Sequence, residues 1–492
     1  DALKSTPGEL EEALEHARRD LALELDRPED EDVIYLPRVL RQERAAARRV
    51  LALVDSGVSA RRMPAFDVAL ALSWLEERED FQLSAAQREA IDAGLTAPLS
   101  VITGGPGVGK TTVVRSLVRL VRAKKVEFAL AAPTGRAAKR LEEATGAPAS
   151  TVHRLLEWDP RGAGFGKNAD DPLDVDLVVV DEASMLDLAL FAALLRALPA
   201  GAALVLIGDV DQLPSVGAGN VLGDLIQSGA ARVVRLNEVF RQAAASRIVT
   251  AAHAVNEGRL PELEQVEGSD FFFVERDDPA SAQRTIVRLV QERIPAAFGL
   301  DPLREVQVLA PMHRGSCGTE ELNQALKAAL VPSPEGSEPF KGGFDQGDKV
   351  MQLKNDYENE VFNGDVGRVI EVDPGTGAVL VDFEGKQVLI SRGERSRLTL
   401  AYCATVHKAQ GSEYPAVVLP LLTEHFVMLQ RNLLYTGLTR GRRLAVLVGQ
   451  RRAVQLAVEN DRPSRRRSYL GVRIRNNARA PLASEGVGQE VE

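Results

Sequence analysis

Cysteine is nearly missing from this 492-residue chain: Cys317 and Cys403 are the only two, with no CxxC spacing and no matched pair of histidines. That excludes a disulfide framework, argues against a zinc site, and leads us to expect a reducing, cytoplasmic setting. Aromatic residues are scarce, at 5%. No apolar run reaches the roughly 18 residues that a bilayer-crossing helix needs, and the opening DALKSTPGELEEALEH lacks the basic-then-apolar pattern of a secretion signal, so neither export nor a membrane is expected. The first residue is Asp rather than Met, and residues 9–25 already read as a helix under way, as in a truncated or ordered fragment. An excess of positive charge is also lacking. The formal net charge is -10, which taken alone disfavours a nucleic-acid partner, because phosphate binding is driven by lysine and arginine. Averages hide patches, however. Arg440, Arg442, Arg443, Arg451 and Arg452 gather in one stretch, and Arg462, Arg465, Arg466 and Arg467 in the next. Such clusters suit a phosphate partner or a solvated face and tail, and alone they do not decide between the two.

What is present is the composition of an ordinary globular chain, with 45% hydrophobic and 26% charged residues, and a length too great for one compact core. Residues 1–80 alternate charged and apolar positions at helical spacing and read as a helical N-terminal domain. From Phe81 the pattern changes. PLSVITGGPGVGKTTVVRSLVRLV reads as strand, glycine turn and helix, VEFALAAPTGRAAKRLEEATG repeats it, and DLVVVDEASM and ALVLIGDVDQLP add two more β-rich runs. Strands alternating with helices imply a parallel sheet with ligands at the carboxyl ends of its strands. This first α/β domain is read as residues 81–239. A second occupies residues 240–340 and 401–455, with EVQVLAPMHRG, LAYCATVHKAQGSEYPAVVLP and LAVLVGQ as its strands and helical runs near 244–257 and 319–330. Two inserts interrupt the plan. Residues 154–176, rich in Gly, Pro and Asp, are expected to form a loop or small hairpin. Residues 341–400 read as short strands joined by tight glycine turns, a small β-barrel of the SH3 type. Residues 456–492 read as a basic tail, its last stretch expected to be mobile.

The strongest chemical signal is Gly104, Gly105, Pro106, Gly107, Val108, Gly109, Lys110 and Thr111, a full GxxxxGK[ST] between a strand and a helix and followed directly by Thr112. Its backbone N–H groups can wrap phosphates, Lys110 can reach the β and γ oxygens, and Thr111 can hold Mg²⁺. VVVDEAS places Asp181 and Glu182 at the end of an apolar strand, where two carboxylates serve no packing purpose. Asp181 would complete the metal shell, and Glu182 would act as general base toward the attacking water. LIGDVDQLPSVGAG then offers Gln212 as a sensor of the γ-phosphate.

Together GGPGVGKTT, APTGRAAKRL, STVHRLL, VVVDEAS, IGDVDQLPSVGAG, EVFRQ, ATVHKAQGSE and LLYTGLTRGRR occur in the order of superfamily one helicases, and the chain resembles most closely the RecD family from Gln87 to Arg443. The resemblance implies an α/β fold of tandem RecA-like P-loop NTPase domains, with ATP and Mg²⁺ between them and DNA across their top. It implies that Gln87 reads adenine, that Arg241 and Arg440 clamp the γ-phosphate from the second domain, and that Glu413 contacts the ribose. Pro133, Thr134, Thr151, His153, Thr405, His407 and Lys408 match the family's strand-contacting motifs, with Arg314 and Asn323 as weaker candidates. Two readings stand for His153 and His407, strand contact or a satisfied structural histidine. Phe240, Tyr402 and Tyr435 read as core. The expected partners are single-stranded and tailed duplex DNA, with action as a monomer and movement from 5′ to 3′; nuclease or repair partners are left open. The rival reading is a DNA-stimulated ATPase switch that remodels or recruits partners without unwinding. A nuclease is disfavoured, because no further acidic metal cluster is evident.

Overall fold

The computed structural model describes residues 17, 22–29, 31–55, 62–79, 81–159, 162, 164–238, 245–264, 266–332, 343–356, 358–461 and 466–479. Two parallel sheets dominate it. The first has six strands in the order Arg232–Leu236, Leu99–Gly104, Ala203–Gly208, Leu177–Val180, Phe128–Ala132, Ala149–Thr151, every pairing parallel. Its central strands are buried along their whole length, as LVVV at Leu177–Val180 and ALVLIG at Ala203–Gly208 are, because helices cover both faces. The second sheet has five parallel strands, in the order Phe271–Glu275, Gly441–Gly449, Tyr414–Leu421, Val306–Ala310, Cys403–Thr405. The expected helical runs are present as Arg247–Asn256 and Thr319–Leu330.

The glycine-punctuated stretch folds as a five-stranded antiparallel sheet, in the order Lys386–Ile390, Val379–Phe383, Val366–Val372, Lys349–Gln352, Leu398–Leu400. Val379, Val381 and Phe383 alternate inward onto a core of their own with Val350, Val369 and Val388. The EG turn after Phe383 has φ of 53° at Glu384 and 94° at Gly385, the two positive values that a two-residue hairpin turn requires. The smaller insert contains the hairpin Trp158–Asp159 with Gly164–Phe165.

Two regions differ from the sequence reading. The N-terminal part is not helical throughout: Glu24–Asp26 pairs antiparallel with Val33–Tyr35 ahead of the helix Pro37–Asp55. The β-branched VIY after a proline- and acid-rich turn favours a strand over a third helix. The basic tail carries a helix, Leu470–Arg479, whose Leu470 and Ile474 are fully buried in the core of the first sheet beside Ala46 and Val50. Arg473 fixes it there by pairing with Glu43 at 2.7 Å and with Asp26. The end of the tail, where mobility was expected, lies outside the described residues. No helix among the described residues is long and apolar enough to cross a membrane.

Candidate nucleotide cleft and strand-contact face

The carboxyl ends of the first sheet's strands carry the sequence-predicted chemistry. Leu99–Gly104 runs into the glycine loop, where Gly107 and Gly109 take φ of 74° and 84°, and the helix Lys110–Ala123 starts directly after it. Left-handed backbone at these points turns the loop around the helix N-terminus, and glycine adopts it without strain. Lys110 Nζ donates to the carbonyls of Gly104 at 2.6 Å and Gly105 at 2.7 Å. Val108 is buried beneath the loop.

Asp181 and Glu182 follow the strand Leu177–Val180. The Asp181 carboxylate accepts the Glu182 N–H at 2.8 Å, and its pKa is raised, by burial first and then by the neighbouring Glu182 charge, against the opposing pull of Lys110 and Arg140. Glu182 has φ 51° and ψ 39°, a left-handed conformation unusual for a residue with a side chain. After the strand Ala203–Gly208 comes buried Asp209, its pKa also raised by burial, accepting from Gln212 Nε2 at 3.1 Å and from Tyr435 Oη at 2.8 Å. Gln212 Oε1 in turn accepts from Arg440 Nη2 at 2.7 Å. Tyr435 and Arg440 belong to the second sheet's half of the molecule, so this chain of bonds crosses between the halves.

A cavity of about 980 Å³ opens on these groups and is lined from the first half by Gln87, the glycine loop, Asp181, Glu182 and Gln212, and from the second by Glu413 and Arg440. Gln87 caps the helix Ala85–Thr96, exchanging hydrogen bonds with Ser84, while its Nε2 is buried without a partner. A free amide donor here suits a heterocycle acceptor. Arg440 is 2% exposed, and its hydrogen bonds go to uncharged oxygens of Thr436, Ser412, Gln212 and Thr439. Such a permanent charge is well placed to meet an anion. Glu413 is held by Arg140 at 2.7 Å and Arg442 at 2.7 Å; burial would raise its pKa, but Arg140 and then Arg442 hold it down to about 2. Arg140 lines the cavity beside Glu413 and was not singled out in the sequence, where it is one arginine among several on a helix surface. Tyr435 is core as expected, yet its hydroxyl reaches Asp209. Thr111 and Asp181 offer hydroxyl and carboxylate oxygens to the same cavity, a donor set that fits Mg²⁺. Among the described residues no group of three or more His, Cys, Asp or Glu side chains could hold a metal ion, so phosphate and water oxygens would complete its shell. Arg241 and Phe240 lie outside the described residues.

The strand-contact candidates fall on loops at the same ends of both sheets. Pro133 and Thr134 follow Phe128–Ala132, and Thr134 caps the helix Gly135–Thr145. Thr151 ends its edge strand and caps the short helix Val152–Leu155. His153 packs 6.3 Å from Trp158 and 6.0 Å from Phe165, ring centre to ring centre, and burial lowers its pKa, so it buttresses the hairpin of the smaller insert. In the second half Arg314 is exposed after Val306–Ala310, and Thr405 caps the turn carrying His407 and exposed Lys408. The pKa of His407 is lowered, by burial first and then by Arg466 and His313. Asn323 differs from the others. It is buried, and its amide brackets the Cys403 backbone with bonds of 2.8 and 2.9 Å, so it clips the strand that carries Thr405 and presents no free group to a ligand. The antiparallel unit reaches this face through Phe362, which packs over Gly135 at the start of the Thr134-capped helix.

Similarity to known proteins runs along most of the chain. Residues 82–273 match the family model described as an AAA domain, residues 322–383 that of the ATP-dependent RecD-like DNA helicase SH3 domain, and residues 400–448 that of the UvrD-like helicase C-terminal domain. The ATP-dependent RecD2 DNA helicase of Deinococcus radiodurans is 40% identical over 439 residues, covering 89% of this chain and 58% of the relative. The chain thus spans less than two thirds of that protein. The RecBCD enzyme subunit RecD of Mycolicibacterium smegmatis is 32% identical over 460 residues, covering 87% of this chain and 80% of the relative. Among solved structures, the Pif1 helicase from Bacteroides in complex with ADP-AlF3 and ssDNA aligns with a TM-score of 0.47 and 17% identity, covering 77% of this chain and 94% of that one. With identity above 30% across four fifths of the mycobacterial subunit, and a match to the RecD-like SH3 domain model at residues 322–383, this chain belongs to the RecD family of DNA helicases.

Proposed function

We propose that this chain is the motor of an ATP-dependent DNA helicase that moves 5′ to 3′ on single-stranded DNA and unwinds duplexes in repair or recombination. The observation that carries the reading is the buried Arg440 guanidinium, without a carboxylate among its hydrogen-bond partners, facing the glycine loop across the cavity and joined through Gln212 to Asp209. Lys110 exchanges its carbonyl partners for the β and γ oxygens. Glu182 takes the proton of the attacking water, while Arg440, with Arg241 beside it, meets the charge that grows on the transferred phosphoryl group. Gln87 reads the base and Glu413 orients the ribose. Thr111 and Asp181 would hold Mg²⁺, which would neutralise phosphate charge when bound. Because Gln212 touches Arg440 and Asp209 at once, loss of the γ-phosphate loosens the two halves together.

The hydroxyls of Thr134, Thr151 and Thr405, the cations Arg314 and Lys408 and the His407 ring suit a phosphate backbone read without regard to sequence. The hairpin at Trp158 and Phe165 serves as the wedge at the fork, and the antiparallel unit guides the strand. The polarity follows the family resemblance. Strand displacement on 5′-tailed, 3′-tailed and blunt duplexes tests the reading. ATP-dependent release from the 5′-tailed substrate is expected. ATP hydrolysis with every duplex left intact would instead support the switch.

A further inference from the structure

The helix Arg247–Asn256 belongs by its core to the second half, packing Ile248, Ala252 and Val255 into the cluster that holds Leu434 and Tyr435. Its opposite side faces the first half. Asn256 Nδ2 donates to Asp211 Oδ2 at 2.8 Å, beside the Asp209 turn. One helical turn earlier, His253 meets the glycine loop: a Cβ on Gly105 would lie 3.5 Å from His253 Cε1, 3.9 Å from Nε2 and 3.0 Å from Tyr435 Oη. The Nε2 atom of His253 is buried and has no hydrogen-bond partner. A buried ring nitrogen left unpaired is uncommon and calls for an explanation.

The residue that this ring faces carries a carbonyl that can supply one. The Gly105 carbonyl is satisfied by Lys110 Nζ at 2.7 Å, an amine that must leave it to reach phosphate oxygens. A part-buried carbonyl stripped of its donor opposes that move unless another donor arrives. We infer that His253 is a positioning residue for nucleotide binding, its Nε2–H taking over the Gly105 carbonyl when Lys110 turns to the phosphates. The exchange replaces one of the two carbonyl hydrogen bonds that Lys110 gives up and gives the second half a direct contact with the state of the glycine loop. The inference rests on Lys110 serving the phosphates, as proposed above.

Two substitutions test it. His253→Leu removes the donor at similar volume, and His253→Gln offers an amide donor at similar reach. Because Nε2 has no partner while Lys110 holds the carbonyl, His253→Leu should melt at or above the wild-type temperature without nucleotide. Its ATP-induced stabilisation should shrink, and its KM for ATP should rise about tenfold, the scale of one hydrogen bond left unmade, with kcat within about threefold. His253→Gln should recover most of the affinity. A purely structural role would instead lower the melting temperature without nucleotide and would not be rescued by Gln. The inference is overturned if His253→Leu keeps the full ATP-induced shift, or if both variants lose it equally. A wild-type protein with no ATP-induced shift at all would overturn the nucleotide reading itself, and the inference with it.

Discussion

Glu182 shows how much of the chemistry is fixed by single residues. Its left-handed backbone carries a strain of about 1–3 kcal/mol, sustained because Asp181 takes its N–H and because Gly208 approaches the amides of Ala183 and Ser184 closely enough to crowd any larger residue. Glu182→Gln preserves that backbone and removes the proposed base, so turnover of ATP should fall by about a hundredfold or more while nucleotide binding survives. Steady-state hydrolysis alongside an ATP titration checks this, and near wild-type turnover with DNA present would remove Glu182 from the role. Glu413 gives a pH test. Its pKa stands at about 2 against an ordinary 4.5, so pairing with Arg140 and Arg442 stabilises the fold fully above 4.5 and is lost as pH falls through 2. The gap in melting temperature between wild type and Glu413→Gln should therefore be constant near neutrality and close in acid; a gap that persists in acid would show that its charge is not what binds the halves. At this scale the sequence was legible where motif spacing places residues on one cavity, as it does Lys110, Asp181 and Gln212. It was silent on Arg140, whose role depends on Glu413 lying 273 positions further on.

Among the elements, the parallel strands announced themselves as apolar runs ending in Gly, Asp or Thr, and the antiparallel unit by its glycine turns. The helix Leu470–Arg479 did not, because four apolar side chains within an arginine-rich stretch look like a tail until Glu43 and Asp26 are brought beneath them. Tertiary pairing across more than 400 residues is invisible to local pattern. Arg473→Ala should destabilise the protein by about 3–5 kcal/mol, since Glu43 would be left buried without its countercharge, keeping only the donors of Tyr35 and Tyr469. Chemical denaturation measures it, and a change within about 0.5 kcal/mol would mean that the helix is held by its apolar face alone. The smaller insert makes a functional prediction. Replacing residues 157–171 with a short Gly/Ser link removes Trp158 and Phe165 but no residue of the nucleotide cavity. DNA-stimulated ATP turnover should persist and unwinding of a 5′-tailed duplex should fail. Unwinding at full rate would reduce the hairpin to a surface loop.

For the whole molecule, the feature that matters is a cavity to which neither half is sufficient. Lys110, Asp181 and Glu182 come from one sheet, Glu413 and Arg440 from the other, and Gln212 and Tyr435 bond across the gap. A site built this way is complete only while the halves are closed, and in the proposed function hydrolysis moves them by that means. The family resemblance implied a composite site, but the path of bonds from Arg440 to Tyr435 required the folded chain, because two of its three bonds join residues more than 200 positions apart. The most direct test of this account is the turnover number of Arg440→Ala in the presence of single-stranded DNA. The account predicts a loss of about a thousandfold or more with little change in ATP affinity, as for a fixed charge that acts on the transition state. An unchanged turnover number accompanied only by weaker DNA binding would contradict it and reassign Arg440 to the DNA backbone.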